Sequence, residues 1–346
     1  MRGDQRPVGI REVAKEAGVS ITTVSHILNG KGSFTDTTKQ RVLGAAQALS
    51  YQPDPSARSL AGGRTRVIAL AFSYRQAIPF PLMDVDYFAR AIYAATEQAL
   101  ARDYSLVVGP PTPQSDVWFR LPLDGVIVFD PVVGDPVPGL LRQRGTPMVV
   151  VGRDPNGAFD DPCVDNDQPK AIRLALDHLW SQGARRPALF AYPLMDAFVD
   201  DCERSYRGWC EEKGIQPIVL MSPPAWKDSP KDVIAELLEG TVRPDSVLAL
   251  EDDLAVDAVS AAADLGLRVP DEFMAVALAD TTSFPGVPIT TVELDAAGTA
   301  RIAVNMLVDL IEQGELEDRF VEIPVRLVQR TSTDRLLVGK DAGARG

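Results

Sequence analysis

A small set of polar and apolar side chains follows Gly18 near the start of the chain. Ser20 comes first, and Ile21, Thr22 and His26 follow within a stretch of helical character. At the N-terminal end of a helix in the major groove, hydroxyl and imidazole groups can hydrogen-bond to base edges, and an aliphatic group can contact a thymine methyl. These residue types predict non-covalent recognition of DNA bases.

Two helices joined by a tight turn would position these side chains. Gly18 suits the left-handed residue that ends a helix, and the hydroxyl of Ser20 can cap the start of the next one. Asn29-Gly30 predicts the end of the second helix. The apolar residues of the first helix recur at helical spacing, at Ile10, Val13, Ala14 and Ala17. The alternative interpretation is an ordinary helical hairpin within a core.

A third helix and the distribution of charge favour a DNA-binding head. The third helix is predicted at about residues 37–50. Its apolar face holds Val42, Ala45, Ala46 and Leu49. Residues 1–66 contain ten Lys or Arg and five Asp or Glu, a net charge of +5, whereas the whole chain carries −13. A basic head on an acidic body is typical of a head that meets phosphate. We therefore predict a helix-turn-helix DNA-binding domain over residues 1–52.

Motifs for covalent or metal chemistry are missing from the sequence. It contains no phosphate-binding loop, no Gly-x-Ser-x-Gly elbow and no His-Glu-x-x-His motif. Its two histidines are His26, in the predicted reader, and His178, in a helical pattern typical of packing. The dense carboxylate group Glu251-Asp252-Asp253 ends a predicted strand and fits a polyol or sugar better than a metal. We predict that the protein is not an enzyme and needs no cofactor and no metal.

Three segments of the chain resemble the lac repressor family (LacI/GalR type) of bacterial transcription regulators. They are Val13-Ala14-x-x-Ala17-Gly18-Val19-Ser20-x-x-Thr23-Val24-Ser25-His26-x-x-Asn29, Thr38-Lys39-Gln40-Arg41-Val42 and Ala57-Arg58-Ser59-Leu60. The resemblance continues more loosely to about Arg335. It implies a sequence-specific DNA-binding regulator, expected to be a repressor, that is controlled by a small molecule.

The resemblance also implies which residues contact DNA. The three base-reading positions correspond to Ile21, Thr22 and His26. Leu60 corresponds to the leucine that wedges into the minor groove at the operator centre, and its alternative role is helix packing. The side chains expected at phosphates are Ser20, Thr23, Lys39 and Arg58.

The segment between head and body is predicted to be a hinge helix and linker at residues 53–63. Asp54 and Pro55 suit the start of a short helix, and Gly62-Gly63 suits its end. Such a short helix is not stable alone in water, so it would form on DNA against a partner hinge. The alternative is a linker with some helical bias.

The body alternates short apolar runs with helical stretches, which predicts parallel sheets with helices on both faces. The resemblance implies two lobes joined by three crossovers, with a ligand cleft between them. The predicted fold is therefore α/β: an N-terminal all-α helix-turn-helix head plus a two-lobed periplasmic-binding-protein-like body of parallel sheets flanked by helices. The expected effector-binding and dimerisation domain is 64–335, with lobe 1 at about 64–163 plus 292–322, lobe 2 at about 164–291 plus 323–335, and a tail at 336–346.

Ligands of open α/β sheets bind at the carboxyl ends of the strands. This rule selects the candidate effector-binding residues Ser73, Asp130, Arg153, Asp252 and Asp280. The resemblance adds the aromatic pair Tyr87 and Phe88, the aromatic platform Trp226, and Arg204. Aromatic faces with carboxylate and guanidinium groups suit a sugar or related metabolite, and the alternative for each aromatic residue is core packing.

Several positions depart from the family pattern and leave the ligand class open. Ser205 stands where the family has an arginine, with Arg204 one residue before it. Glu251-Asp252 replaces an Asn-Asp pair, and Ala277-Leu278-Ala279-Asp280 replaces a Gly-aromatic-Asp-Asp run. A different effector, or a regulator that works without one, is compatible with these changes.

The remaining features concern compartment and partners. The cysteines, Cys163, Cys202 and Cys210, are odd in number and sparse, which favours a reducing cytosol. The absence of an 18-residue apolar run and of a signal-peptide core predicts a cytoplasmic protein without membrane contact. The expected partners are double-stranded DNA with a pseudo-palindromic operator, a small-molecule effector and a second copy of the chain, because one reader covers one half-site.

Two other classes of protein compete with this interpretation. A solute-binding protein could use the same body, but the basic head and the missing signal peptide speak against it. An α/β enzyme with an N-terminal extension would need a nucleophile and base or a metal motif. The end of the chain, Leu336 to Gly343, is too short and too broken by glycine for a tetramerising coiled coil, so we predict a homodimer.

Overall fold

Two compact units make up the chain, Met1–Thr65 and Arg66–Gly346. The structure is a computed structural model and describes residues 8–28, 32–51, 64–72, 86–109, 120–157, 160–222, 229–279 and 286–334. Among these residues no helix is both long enough and apolar enough to cross a bilayer.

The first unit contains three short helices around one small core. They are α1 (Ile10–Ala17), α2 (Ile21–Leu28) and α3 (Asp36–Ala48). Gly18 ends α1 with φ +61°, a conformation that side chains with a Cβ adopt at a cost. Thr35 caps α3 by accepting a hydrogen bond from the backbone N–H of Thr38. The core consists of Val13, Ala14, Ala17, Val24, Val42, Ala45 and Ala46.

The second unit contains two six-stranded sheets. The first has the order β11-β5-β4-β3-β1-β2, and the second has the order β12-β10-β9-β8-β6-β7. All neighbouring strands are parallel except β10 and β12, which are antiparallel. The strands are β1 (Val67–Phe72), β2 (Ser105–Gly109), β3 (Gly125–Phe129), β4 (Met148–Val151), β5 (Cys163–Asn166), β6 (Pro187–Ala191), β7 (Ile218–Met221), β8 (Ser246–Ala249), β9 (Met274–Leu278), β10 (Thr290–Glu293), β11 (Phe320–Ile323) and β12 (Arg326–Val328).

Helices connect these strands and cover their faces. They are α4 (Asp86–Ala101), α5 (Pro136–Arg144), α6 (Gln168–Ser181), α7 (Ala197–Lys213), α8 (Pro230–Glu239), α9 (Asp252–Asp264) and α10 (Ala296–Gln313). Aspartate side chains cap four of them, because Asp135, Asp167, Asp196 and Asp295 each accept a hydrogen bond from a backbone N–H of the first turn. The central strands β3, β4, β6, β8 and β9 are buried along their whole length, as expected for parallel strands between helix layers. The predicted α/β fold is confirmed.

The crossovers between the sheets lie later in the chain than the sequence suggests. The expected lobe boundaries at 163/164, 291/292 and 322/323 fall inside β5, β10 and β11, respectively. β5 stays in the first sheet because it pairs with both β4 and β11, and β10 stays in the second because it pairs with β9 and β12. We propose that the lobes change after each of these strands.

The environments of His178 and of the three cysteines indicate structural roles. His178 hydrogen-bonds through Nε2 to the hydroxyl of Thr333 at 2.7 Å, and burial lowers its pKa. The cysteines are free thiols. Burial raises the pKa of Cys163 to about 12, so this thiol stays protonated and unreactive at neutral pH.

Candidate nucleic-acid interface and ligand cleft

Helix α2 presents its polar side to solvent and its apolar side to the core of the head. Val24 is 0% exposed, whereas Ile21, Thr22 and His26 are exposed. Ser20 holds the start of the helix, because its Oγ accepts from the backbone N–H of Thr23 at 3.1 Å and lies 2.8 Å from the Thr23 hydroxyl. The three predicted base readers therefore lie on the accessible surface at one helix.

Two neighbours of the helix complete this surface. Phe34 lies beside His26, with 6.4 Å between their ring centroids and a tilt of 55°. Nothing in the sequence singles out Phe34, because it stands in a loop outside both helical patterns. Lys39 is exposed, and its Nζ lies 3.7 Å from Asp36, an exposed pairing too weak to prevent a phosphate contact.

Five predicted site residues lie outside the described residues. They are Arg58, Leu60, Ser73, Trp226 and Asp280. The predicted hinge at 53–63 and tail at 336–346 also lie outside them. Their roles stay predictions.

A cleft in the second unit is lined by residues of both sheets and encloses about 550 Å³, including its open mouth. The carboxyl ends of β3, β4, β5, β8 and β9 all reach it, as the strand-end rule predicts. Its lining consists of Tyr87, Phe88, Asp130, Val151, Gly152, Asp165, Asn166, Gln168, Phe198, Leu250, Glu251, Leu278 and Leu294. Parallel strand ends thus bring carboxylate and amide groups together, and α4 and α7 add the aromatic rings.

Asp130 is held in an unusual backbone conformation at the cleft. Its φ is +43°, which is uncommon for a residue with a side chain. Gly152 follows β4 with φ +76°, and a Cβ on it would lie 2.7 Å from Oδ1 of Asp130. The absence of a side chain at Gly152 therefore makes the room that the Asp130 carboxylate occupies.

Asp165 forms the centre of a buried hydrogen-bond group. Its Oδ1 accepts from the backbone N–H of Asn166 at 2.8 Å and from Nε2 of Gln168 at 2.6 Å. Nδ2 of Asn166 donates to the carbonyl of Leu294 at 2.8 Å. Burial raises the pKa of Asp165, and the hydrogen bond from Gln168 acts in the opposite direction.

The structure brings some of the predicted effector residues together and not others. Tyr87, Phe88 and Asp130 line the cleft. Arg153, Arg204 and Asp252 are not among its lining residues. Asp252 is the first residue of α9, and its neighbour Glu251 lines the cleft instead.

The two arginines are engaged by one carboxylate. Arg153 hydrogen-bonds to Oδ2 of Asp201, and Arg204 donates to Oδ1 of Asp201 at 2.6 Å. Arg153 follows β4 of the first sheet and Asp201 lies on α7 beside the second sheet, so this ion pair joins the two lobes. Val133 N–H also donates across the lobes, to the carbonyl of Met195 at 2.7 Å. Both guanidinium groups are thus engaged by Asp201, and the Arg153 pair is the one of the two that joins the lobes.

The acidic group after β8 is partly buried. The hydroxyl of Tyr192 donates to Oδ2 of Asp253, and Oδ1 of Asp253 is buried without a hydrogen bond from any described residue. Among the described residues no cluster of His, Cys, Asp and Glu has the arrangement of a metal site.

Replacing Asp253 with asparagine should stabilise the protein at neutral pH. Burial raises the pKa of Asp253 to about 6 from the usual 3.8, so the folded chain binds this proton more tightly than the unfolded chain. The free energy of unfolding therefore falls as pH rises from about 4 to 6, and Asp253→Asn should remove this loss, about 1–3 kcal/mol. Thermal unfolding at pH 4.5 and 7 measures it, with the exposed Glu317→Gln as control. An Asp253→Asn variant that keeps the full pH dependence would contradict the assignment.

Comparison with known proteins gives two family matches. Residues 9–54 match the family described as bacterial regulatory proteins, lacI family, and residues 176–333 match a periplasmic binding protein-like domain. The first match contains the three described helices of the head, and the second lies in the body.

Relatives match over nearly the whole chain. The HTH-type transcriptional repressor PurR of Mannheimia succiniciproducens is 29% identical over 342 residues, covering 94% of this chain and 99% of the relative. The ribose operon repressor of Halalkalibacterium halodurans is 29% identical over 339 residues, covering 94% and 96%. Both relatives are repressors by name, in agreement with the prediction of a regulator that is not an enzyme.

Solved structures agree with the fold. The lac repressor dimer bound to operator and the anti-inducer ONPF matches with a TM-score of 0.78 at 24% identity, covering 95% of this chain and 99% of that one. The complex of the transcriptional regulator CelR with cellobiose matches with a TM-score of 0.68 at 25% identity, covering 94% and 100%. The predicted resemblance to the lac repressor family is confirmed, and the head of the chain is a domain of the lacI family of bacterial regulatory proteins.

Proposed function

We propose that this protein is a transcriptional repressor that binds a pseudo-palindromic operator as a homodimer in the cytoplasm and responds to a small molecule in the cleft. The observation that carries the proposal is the exposed polar face of a capped helix in a basic head. The near-complete alignment with named repressors supports it. A solute-binding protein would have no use for this head.

The head contacts DNA through two kinds of group in this proposal. Ile21, Thr22 and His26 meet base edges in the major groove, because they share the exposed side of α2. Ser20, Thr23 and Lys39 lie at the start of α2 and on α3, where hydroxyl and ammonium groups suit phosphate. Arg58 adds a phosphate contact and Leu60 the minor-groove wedge.

The cleft provides the regulatory input. Residues from both lobes line it, so a ligand would contact both and favour one relative arrangement of the lobes over another. The ion pair of Arg153 with Asp201 and the backbone contact of Val133 with Met195 also depend on that arrangement. Coupling between ligand and DNA of this kind is typically about 1–3 kcal/mol, and it acts equally in both directions.

Exposed apolar side chains on the first lobe support the dimer. Tyr93 and Leu100 stand two helical turns apart on α4, and Val108 is exposed on the edge strand β2. An apolar face beside an unpaired strand edge is typical of a protein interface. We propose that this face contributes to contact with the second copy of the chain.

Replacing Leu100 with glutamate should weaken the dimer at least about tenfold, because a charge would be buried without a partner at the interface. Leu100 is 63% exposed in the single chain, so the fold should be retained. Analytical ultracentrifugation gives the dissociation constant. Val242 is 61% exposed on the other lobe, and Val242→Glu provides the matched control. Equal dissociation of both variants would count against this face.

Replacing His26 with alanine should relax the base preference at one operator position and cost about 1–3 kcal/mol in specific binding, the usual value of a good base contact. Mixed-sequence DNA should bind the variant as it binds the parent protein. Binding titrations on operator duplexes altered at single positions measure both effects. An equal loss on specific and random DNA would show that His26 is structural.

The salt dependence of DNA binding tests the proposed function directly. Affinity for a mixed-sequence duplex should fall linearly with salt on a logarithmic plot, because each phosphate contact releases counterions. Lys39→Ala should reduce the slope by about one, which corresponds to one lost contact. Affinity that does not change with salt would contradict a phosphate-binding head.

A further inference from the structure

The described side chains that line the cleft provide more hydrogen-bond acceptors than donors. Three carboxylates line it, from Asp130, Asp165 and Glu251, and no Lys, Arg or His is among its described lining residues. The amide N–H groups of the wall are largely used within the protein. Nδ2 of Asn166 donates to the carbonyls of Leu294 and Ile323, at 2.8 and 3.5 Å.

Asp165 presents an oxygen that has no donor among the described residues. Asp165 is only 7% exposed, and its Oδ1 takes both available hydrogen bonds, from Asn166 and Gln168. Oδ2 forms no hydrogen bond or ion pair with any described residue, although the side chain lines the cleft. This side chain lines the cleft, where an ammonium or amidinium group of a ligand would donate a charge-assisted hydrogen bond to the oxygen.

A described cation near Asp165 is already paired with another carboxylate. Arg153 is close enough to Asp165 to act on its pKa, but its guanidinium pairs with Asp201, and it is not a lining residue. The charge of Asp165 is therefore left for a ligand to balance. A neutral ligand would leave this largely buried carboxylate without an opposite charge.

Aromatic rings stand beside these carboxylates. Tyr87 and Phe88 meet edge to face, with 5.4 Å between their centroids, and Phe198 lines the cleft as well. Aromatic faces attract cations through the ring quadrupole and also stack with planar apolar groups. Leu250, Leu278 and Leu294 supply further apolar surface.

We infer that the cleft binds an organic cation, with an ammonium or amidinium group on Oδ2 of Asp165 and an apolar or aromatic portion against Tyr87, Phe88 and Phe198. This inference rests on the proposed function, because it names the ligand class of the regulatory cleft. It differs from the sugar that the aromatic and acidic residues first predicted. The replacement of the expected arginine by Ser205, with Arg204 held by Asp201, fits a ligand that does not need a protein cation.

Isothermal titration of the full-length protein with small probes tests the inference. The probes are benzylamine and benzamidine as cations, benzyl alcohol as their neutral isostere, and ribose as a neutral sugar. At least one cation should bind once per chain, and benzyl alcohol should bind at least about tenfold more weakly, since a charge-assisted hydrogen bond is lost.

Variants connect that binding to Asp165. Asp165→Asn should weaken cation binding at least about tenfold, whereas the exposed Asp318→Asn should leave it unchanged. Glu251→Gln serves as a second cleft variant if Asp165→Asn does not unfold cooperatively. Failure of both cations to bind at millimolar concentration, equal binding of a cation to the cleft variant, or binding of ribose in preference to the cations would overturn the inference.

DNA binding is measured separately, so the two proposals can fail independently. A cation that binds through Asp165 without changing operator affinity would contradict the regulatory role of the cleft and leave the ligand class standing. Ribose that binds and changes operator affinity would support the regulatory role and overturn the cationic ligand.

Discussion

Replacing Gly152 with alanine should weaken the response to the effector while operator binding without ligand is retained. A Cβ at this position would lie 2.7 Å from Oδ1 of Asp130, and the backbone φ of +76° disfavours any residue with a side chain. Together the steric clash and the strain should cost about 1–3 kcal/mol locally and displace the carboxylate. Ligand affinity should therefore fall at least about tenfold.

Glycine-to-alanine replacement elsewhere provides the control for this prediction. Gly139 lies within α5, and a Cβ there would meet no atom within 4 Å. Gly139→Ala should keep the full ligand response. Operator titrations with and without ligand compare both variants with the parent. A Gly152→Ala variant that responds like the parent would show that the Asp130 carboxylate does not contribute to ligand binding.

Replacing Val24 with aspartate should unfold the head and eliminate sequence-specific DNA binding. Val24 is 0% exposed in a core of seven small residues, and burying an unpaired carboxylate there would cost about 4 kcal/mol or more. A single core of this size supplies only about 3–5 kcal/mol, so little folded head would remain.

The body should be unaffected by this change. The head and body form separate compact units, so the unfolding transition of the body and its ligand binding should be the same as in the parent protein. Calorimetry resolves the two transitions. Leu43 is an apolar residue of α3 that is 47% exposed, and Leu43→Asp should leave the head folded. Retained operator binding by Val24→Asp would refute the three-helix head as the reader.

Sequence reasoning was most effective where structure is set locally. The end of α1 at Gly18 and the cap of α2 at Ser20 depend on neighbouring residues, and the structure shows both. The strand-end rule also placed Asp130 correctly at the cleft, because parallel strands end at one edge of a sheet.

The acceptor group at the centre of the cleft was not foreseen. Asp165 and Asn166 belong to β5, whose sequence Cys-Val-Asp-Asn lacks the apolar run by which the other strands were identified. Its pairing with β4 and β11 depends on residues far apart in the chain. Gln168 is brought to Asp165 by the start of α6, and this too follows only from the fold.

The sequence alone also does not predict which groups the charged side chains contact. The strand-end rule predicts a ligand contact for Arg153, and the family resemblance implies one for Arg204. The position of a residue along the chain does not determine where its side chain points. Both side chains contact Asp201 on α7. The same helix supplies Phe198 to the cleft lining, which no spacing in the sequence indicated.

Selection of binding sites from random duplex DNA by the full-length protein tests the central claim most directly. Selection is run with and without a pool of sugars, nucleobases and amines. A sequence-reading dimer should enrich a pseudo-palindrome with an easily kinked centre, whose half-sites lie about one helical turn apart. A folded, dimeric protein that enriches no sequence under either condition would contradict the assignment as an operator-binding repressor.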